Sequence, residues 1–167
     1  MLDNDYHLRI IVSVIFTKST MEERMSSPQT QFLDYLTKNK MAATEQRRIV
    51  LEVFLGTQGH HSCEELYEHV SKRDSSISPA TVYRTIKLLS DSGIAESLDF
   101  GDGITRFECR HNREHHDHLV CIRCNCRIEV VEERIEELQE KLASKYDFSV
   151  NRHKMILYGI CPDCRKQ

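Results

Sequence analysis

The 167-residue sequence has no run of about 18 consecutive apolar residues, which removes a membrane span from consideration. Its longest apolar stretch, Leu8 to Phe16, is interrupted by Arg9 and Ser13. An excess of positive charge is also missing: 23 Lys and Arg stand against 26 Asp and Glu, a net charge of −3. Even residues 27–106 carry 9 basic and 11 acidic side chains, so any nucleic-acid contact has to come from a local patch and not from bulk charge. There are no internal repeats and no low-complexity tracts, which sets aside repeat architectures. No secretory pattern opens the chain, so a reduced, cytoplasmic compartment is expected, in which thiols serve as metal ligands rather than disulfides. Residues 1–26 are expected to form an extension outside the folded domains, with Met21 and Met25 as alternative starts.

What the sequence does hold is seven cysteines and nine histidines, most of them after residue 108. Before that point the pattern is helical. Phe32, Leu33 and Leu36 recur at helical spacing, Thr44 caps a second helix with Ile49, Val50, Val53 and Phe54 as its stripe, and Gly56 and Gly59 end it. Ser62-Cys63-Glu64-Glu65 is a capping box ahead of Leu66, Tyr67 and Val70. Ser78 caps a fourth helix with Pro79 in its first turn; Val82, Ile86 and Leu89 face inward, while Thr81, Tyr83, Arg84 and Lys87 face out. Two strand-like runs, 94–100 and 104–109, flank Gly101-Asp102-Gly103, a hairpin signal. Helices followed by a β-hairpin predict a winged helix-turn-helix, with a generic small α+β domain as the alternative.

The second half predicts strands near 116–122 and 127–131, an amphipathic helix over 132–145 with Ile135, Leu138 and Leu142 as its apolar stripe, and a final strand over 148–160. The fold class expected is α+β: a winged-helix domain over 27–107, and over 108–167 an α/β dimerisation domain with a four-cysteine zinc site.

Two C-x-x-C pairs, Cys121/Cys124 and Cys161/Cys164, offer four thiolates for tetrahedral structural Zn²⁺. A thioredoxin-like redox pair, or unrelated buried thiols, would not account for two copies. On a strand, the tetrad 115–118 alternates faces, His116 and His118 to one side and His115 and Asp117 to the other, so one peptide can feed two metal sites. Imidazole and carboxylate without thiolate suit Fe²⁺, Mn²⁺, Co²⁺ or Zn²⁺. A facial-triad enzyme and a metal-buffering protein share that donor set, but no general base or cofactor motif accompanies it, and the protein is not expected to be an enzyme.

Taken together, Ala80-Thr-Val-Tyr-Arg-Thr-Ile-Lys-Leu-Leu, the stretch Asp99 to Glu108, His115-His-Asp-His-Leu-Val-Cys-Ile-Arg-Cys124, Ile128-Glu129 and Leu157-Tyr-Gly-Ile-Cys161 resemble the ferric uptake regulator family, from about Gln31 to the C-terminus. The resemblance implies a homodimer, with a tetramer as a further option, that represses genes from an AT-rich palindromic operator in double-stranded DNA. It implies that Tyr83 and Arg84, with Thr81 and Lys87, belong to the recognition helix, and that Lys40 and Arg47 also reach DNA. It implies a regulatory metal, Fe²⁺ in vivo with Mn²⁺, Co²⁺ or Zn²⁺ as substitutes, on His60, Glu108, His116, His118 and Glu129. An additional metal falls on His115, Asp117, Glu136 and His153.

Iron-dependent control of iron uptake is the reading expected. A peroxide sensor of the same family is the nearest alternative, although Asp tends to stand in those proteins where this chain has Glu108 and Glu129; zinc and manganese regulators are further alternatives. Two departures stand out: Ala42 occupies the place of a minor-groove Lys, and Asn125-Cys126 replaces Gly-Lys after the first knuckle. Cys63, Cys109 and Cys126 are read as small buried hydrophobes, with redox sensitivity as the alternative.

Overall fold

Ser27, Thr44, Ser62 and Ser78 each sit in extended backbone, and each side-chain oxygen accepts a backbone N–H three residues on. Four helices start there: α1 (Pro28–Lys38), α2 (Glu45–Gly56), α3 (Cys63–Arg73) and α4 (Pro79–Asp91). At Ser62 the capping box is complete, with Glu65 returning a hydrogen bond to the cap N–H at 2.8 Å. The computed structural model describes residues 27–111 and 115–166. The expected extension over 1–26, with its apolar stretch Leu8 to Phe16, lies outside them.

The chain divides into two units, Met1–Asn112 and Arg113–Gln167. The expected boundary at 107/108 would cut through β3 (Thr105–Cys109), whose five paired positions with β2 (Ala95–Asp99) keep it whole in the first unit.

In the first unit the helices enclose one apolar core. Phe32, Leu36, Val50, Leu51, Phe54, Leu66, Val70, Val82, Ile86 and Leu89 are buried together with Ile77 and Ile94. Helix α4 contributes the stripe expected of it and adds Thr85, whose hydroxyl donates to the Thr81 carbonyl at 2.8 Å. The hairpin β2–β3 turns through Gly101 and Gly103, at φ of +81° and +76°, a region that favours glycine. A two-residue strand not expected from the sequence, β1 (His61–Ser62), pairs with β3 to give the antiparallel order β1-β3-β2. Two residues are too few for a periodicity to announce them.

In the second unit β4 (Asp117–Cys121) is the central strand, antiparallel to β5 (Arg127–Val130) and parallel to β6 (Ile156–Gly159). Helix α5 (Glu133–Lys145) makes the crossover that a parallel neighbour requires. The last strand is only four residues long, against the expected 148–160; pairing with a five-residue β4 limits it. A short helix, α6 (Pro162–Arg165), carries the second C-x-x-C. Leu138 and Leu142, from the apolar stripe of α5, are exposed, and so are Ile128, Phe148, Leu157 and Tyr158. The unit does not enclose its own apolar side chains as the first one does. None of the described helices is long and apolar enough to cross a membrane.

Candidate metal centres and DNA-binding surface

Cys121 closes β4 and Cys161 follows β6 by two residues; the parallel register Cys121↔Gly159 sets these two strand ends side by side. Both knuckles therefore meet at one edge of the sheet. The Sγ atoms of Cys121, Cys124, Cys161 and Cys164 lie within 4.8 Å of one another. Cys124 and Cys161 are 3.7 Å apart. A tetrahedron with metal–sulfur bonds of about 2.3 Å has an edge of about 3.8 Å, so the thiols already stand at zinc spacing. The Arg123 guanidinium ties the knuckles by donating to the Cys164 carbonyl at 2.8 Å.

The backbone prepares these thiols for ionisation. The Cys161 N–H donates to Cys121 Sγ at 3.3 Å and, with the Cys124 N–H, draws the Cys121 thiol down to about 5. The Cys164 N–H, 3.5 Å from Cys161 Sγ, lowers that thiol as well. Cys164 itself is pushed up to about 12, because its proton is held between Cys161 and Cys124. Four thiolates this close repel one another, and a soft dication that prefers tetrahedral sulfur is the partner the donor set fits.

Cys126 departs from the reading as a buried hydrophobe: it is exposed, and hydrogen bonding to Cys124 and then Cys161 holds its thiol up at about 12. Asn125, at a left-handed φ of +56°, turns the chain back so that the Cys126 carbonyl accepts from the Cys121 N–H at 3.0 Å. The signal available in the sequence was the Asn, which tolerates that conformation better than most residues. Cys63 keeps the ordinary role, since it packs on the apolar core and burial raises its thiol to about 11.

His115, Asp117, Glu136 and His153 also present ligand atoms within 4.8 Å of one another. His115 Nε2 lies 3.5 Å from Asp117 Oδ1 and 3.6 Å from Glu136 Oε1, and His153 Nε2 lies 3.2 Å from Glu136 Oε2. The last approach has no hydrogen-bond geometry. Oxygen and nitrogen ligands about 2.1 Å from an ion stand about 3.4 Å apart in a tetrahedron, which matches this spacing. The Met155 N–H donates to the buried Asp117 carboxylate at 3.0 Å and fixes it. Glu136 is set apart from its acidic neighbours on α5: its side chain is 31 % exposed, against 65 % for Glu137.

The five residues assigned to the regulatory metal fall into one set per unit. In the first, His60 immediately precedes β1, which pairs with β3, and His60 Nε2 lies 3.0 Å from Glu108 Oε2, both side chains buried. In the second, His118 pairs with Glu129 across β4 and β5, and the rings of His116 and His118 are 5.0 Å apart. Ligand atoms of His116, His118 and Glu129 lie within 4.8 Å of one another.

Thr81, Tyr83, Arg84 and Lys87 lie on α4, with Tyr83 58 % exposed and Arg84 and Lys87 also exposed. The Arg84 guanidinium donates to Thr81 Oγ1 at 3.4 Å. Lys40, exposed in the α1–α2 turn, has φ +55°, and Arg47 on α2 donates back to the Ala42 carbonyl at 2.5 Å.

Residues 38–158 match the model of the ferric uptake regulator family. A ferric uptake regulation protein of Rhizobium leguminosarum bv. viciae is 41% identical over 124 residues, covering 74% of this chain and 87% of that protein. This chain belongs to the ferric uptake regulator family. It is thereby one of the metal-dependent, DNA-binding transcriptional regulators. The solved ferric uptake regulator of Helicobacter pylori superposes with a TM-score of 0.73 at 25% identity, covering 86% of this chain and 97% of that one. A zinc-bound manganese uptake regulator superposes with a TM-score of 0.57 at 39% identity, over 78% of this chain and 98% of that one. With ferric uptake regulators as neighbours, the two units are its winged-helix half and the α/β half that bears the four-cysteine cluster.

Proposed function

We propose that the protein is a homodimeric, cytoplasmic repressor in which Fe²⁺ occupancy governs binding to an AT-rich palindromic operator of iron-uptake genes. The observation that carries this reading is the pair His60 and Glu108, a buried imidazole and carboxylate 3.0 Å apart at the end of the winged-helix hairpin. His116, His118 and Glu129 form a matching set without thiolate in the other half. A divalent ion supplies two positive charges and a fixed set of ligand directions. His60 and Glu108 bring the winged helix to it, and His116, His118 and Glu129 bring the dimerisation half. Sharing one ion constrains the angle between two recognition helices, and only a matched pair meets both half-sites together.

Cys121, Cys124, Cys161 and Cys164 hold a structural Zn²⁺ that joins β4 to the C-terminus, and His115, Asp117, Glu136 and His153 hold an additional metal. The exposed Leu138, Leu142 and Leu157 support a dimer, because a second copy gives this apolar surface the cover a single chain lacks. The chain's near-even charge supports a metal-gated grip, since bulk electrostatics do not supply one.

A manganese-dependent repressor is the second reading, favoured by the 39% identity to a manganese uptake regulator. Peroxide sensing is opposed by Glu108 and Glu129. The experiment is DNA binding by the purified zinc protein to an AT-rich palindromic duplex at fixed salt, titrated anaerobically with Fe²⁺ or Mn²⁺ and then exposed to peroxide. Binding driven by Fe²⁺ that survives low peroxide supports the iron repressor. Loss with Fe²⁺ but not Mn²⁺ indicates the peroxide sensor, a response to Mn²⁺ alone indicates the manganese repressor, and no metal response refutes all three.

A further inference from the structure

Strand β3 carries two buried charged residues on one face, Arg106 and Glu108. Glu108 meets His60; Arg106 has no such partner in the metal scheme. Its guanidinium forms a two-pronged ion pair with Asp102 in the hairpin turn, Nη1 to Oδ1 at 2.9 Å and Nη2 to Oδ2 at 2.8 Å, and Nη1 also donates to the Ile104 carbonyl at 3.1 Å. Asp102 in turn accepts the Ile104 N–H at 3.2 Å. A buried ion pair is a costly way to fill space, and an apolar side chain of similar volume would stabilise a small hairpin at least as well.

A second contact accounts for the arginine. Its guanidinium carbon lies 5.9 Å from the centre of the buried Phe100 ring, within cation–π range. His60 also packs on that ring, edge-on at 5.4 Å with the planes at 90°. Phe100 thus stands in contact with both Arg106 and the imidazole that faces Glu108.

We infer that Arg106 is a positioning residue for the metal: clamped by Asp102, it holds Phe100, and Phe100 sets the plane of His60 so that Nε2 is presented to the ion beside Glu108. The inference rests on His60 and Glu108 being ligands, as proposed above. A ligand fixed in this way loses little freedom on binding, and residues behind a ligand commonly govern affinity about 10–100-fold. The coupling is reciprocal, so ligation at His60 tightens the Gly101–Gly103 turn.

The test uses the full-length zinc-containing protein. Mn²⁺ affinity is measured by electron paramagnetic resonance of the free ion, taking the part of the binding that His60→Ala removes. Arg106→Gln and Phe100→Leu should each weaken that part about tenfold or more. Arg106→Lys, which keeps a cation over Phe100 without the fork, should recover part of the loss, and hydrogen exchange of residues 99–105 in the metal-free protein should rise in Arg106→Gln. Zinc content should be unchanged in Phe100→Leu, and the winged helix should still fold with only a modest fall in melting temperature; this variant keeps the Asp102–Arg106 pair and carries the test if Arg106→Gln does not fold. Wild-type Mn²⁺ affinity in Phe100→Leu, alongside a clear loss in His60→Ala, overturns the positioning role. No loss in His60→Ala overturns the ligand reading itself.

Discussion

His60 and Glu108 face each other across β1 and β3, Nε2 to Oε2 at 3.0 Å, although 48 positions separate them in the chain. The two-residue strand His61–Ser62 creates this meeting by pairing with Arg106 and Phe107. An imidazole and a carboxylate buried together can share a proton or, with their remaining lone pairs, a metal. In the function proposed above, the second use gives the winged helix a handle on metal concentration.

Removing a regulatory ligand should separate sensing from assembly. His118→Ala is expected to abolish the metal-dependent gain in DNA affinity, a factor of about 5–150 for typical coupling, and to leave the dimer and the zinc content intact. Fluorescence anisotropy with a labelled operator, alongside analytical ultracentrifugation, reads both. Loss of the dimer in this variant would contradict the division of labour.

Cysteine variants should divide four to one around the knuckles. Cys121→Ser is expected to lose zinc and, with it, the dimer, because the zinc proposed above would join the neighbouring ends of β4 and β6. Cys126→Ser should retain one zinc per chain, since Cys126 stands beside the cluster and not in it. Colorimetric zinc release after denaturation settles the stoichiometry.

Acid should release that zinc. Cys121 has a thiol drawn from 9.0 to about 5 by the Cys161 and Cys124 N–H groups. Its folded value is depressed, so in the metal-free unit the stabilisation is complete above 9 and is lost as pH falls towards about 5. Protons compete for the same sulfur, so zinc affinity should fall as pH falls. A zinc affinity that does not change with pH would overturn this prediction.

Tyr83, largely exposed on α4, should serve DNA and not stability. Tyr83→Ala is expected to cost about 1–3 kcal/mol of operator affinity and to relax preference at one base position, with little change in melting temperature. Lys87→Ala should weaken all sequences alike and reduce the salt slope by about one. Ile86→Ala is the opposite case: the side chain is fully buried, and about 2–5 kcal/mol of stability should be lost in urea unfolding.

Much of this molecule was legible in one dimension because its signals are local. A Ser or Thr three residues before a free N–H caps a helix wherever it occurs, a C-x-x-C can turn both sulfurs to one ion, and alternation along a strand separates His116 and His118 from His115 and Asp117. These outcomes depend on neighbours a few bonds away, so sequence by itself determined the four N-terminal helices, the hairpin and the metal-binding character of the second half. Other outcomes depend on pairings between distant segments, and those only the tertiary structure decided. Parallel pairing of β4 with β6 puts Cys121 beside Cys161, and β1 puts His60 beside Glu108. Among five similar glutamates around α5, packing selects Glu136, because its side chain alone reaches His115 and His153 among those described. The helix stripe Ile135, Leu138 and Leu142 shows the same limit from the other side. Periodicity announces an apolar face, but it does not say what covers it: Leu138 and Leu142 stay exposed among the described residues.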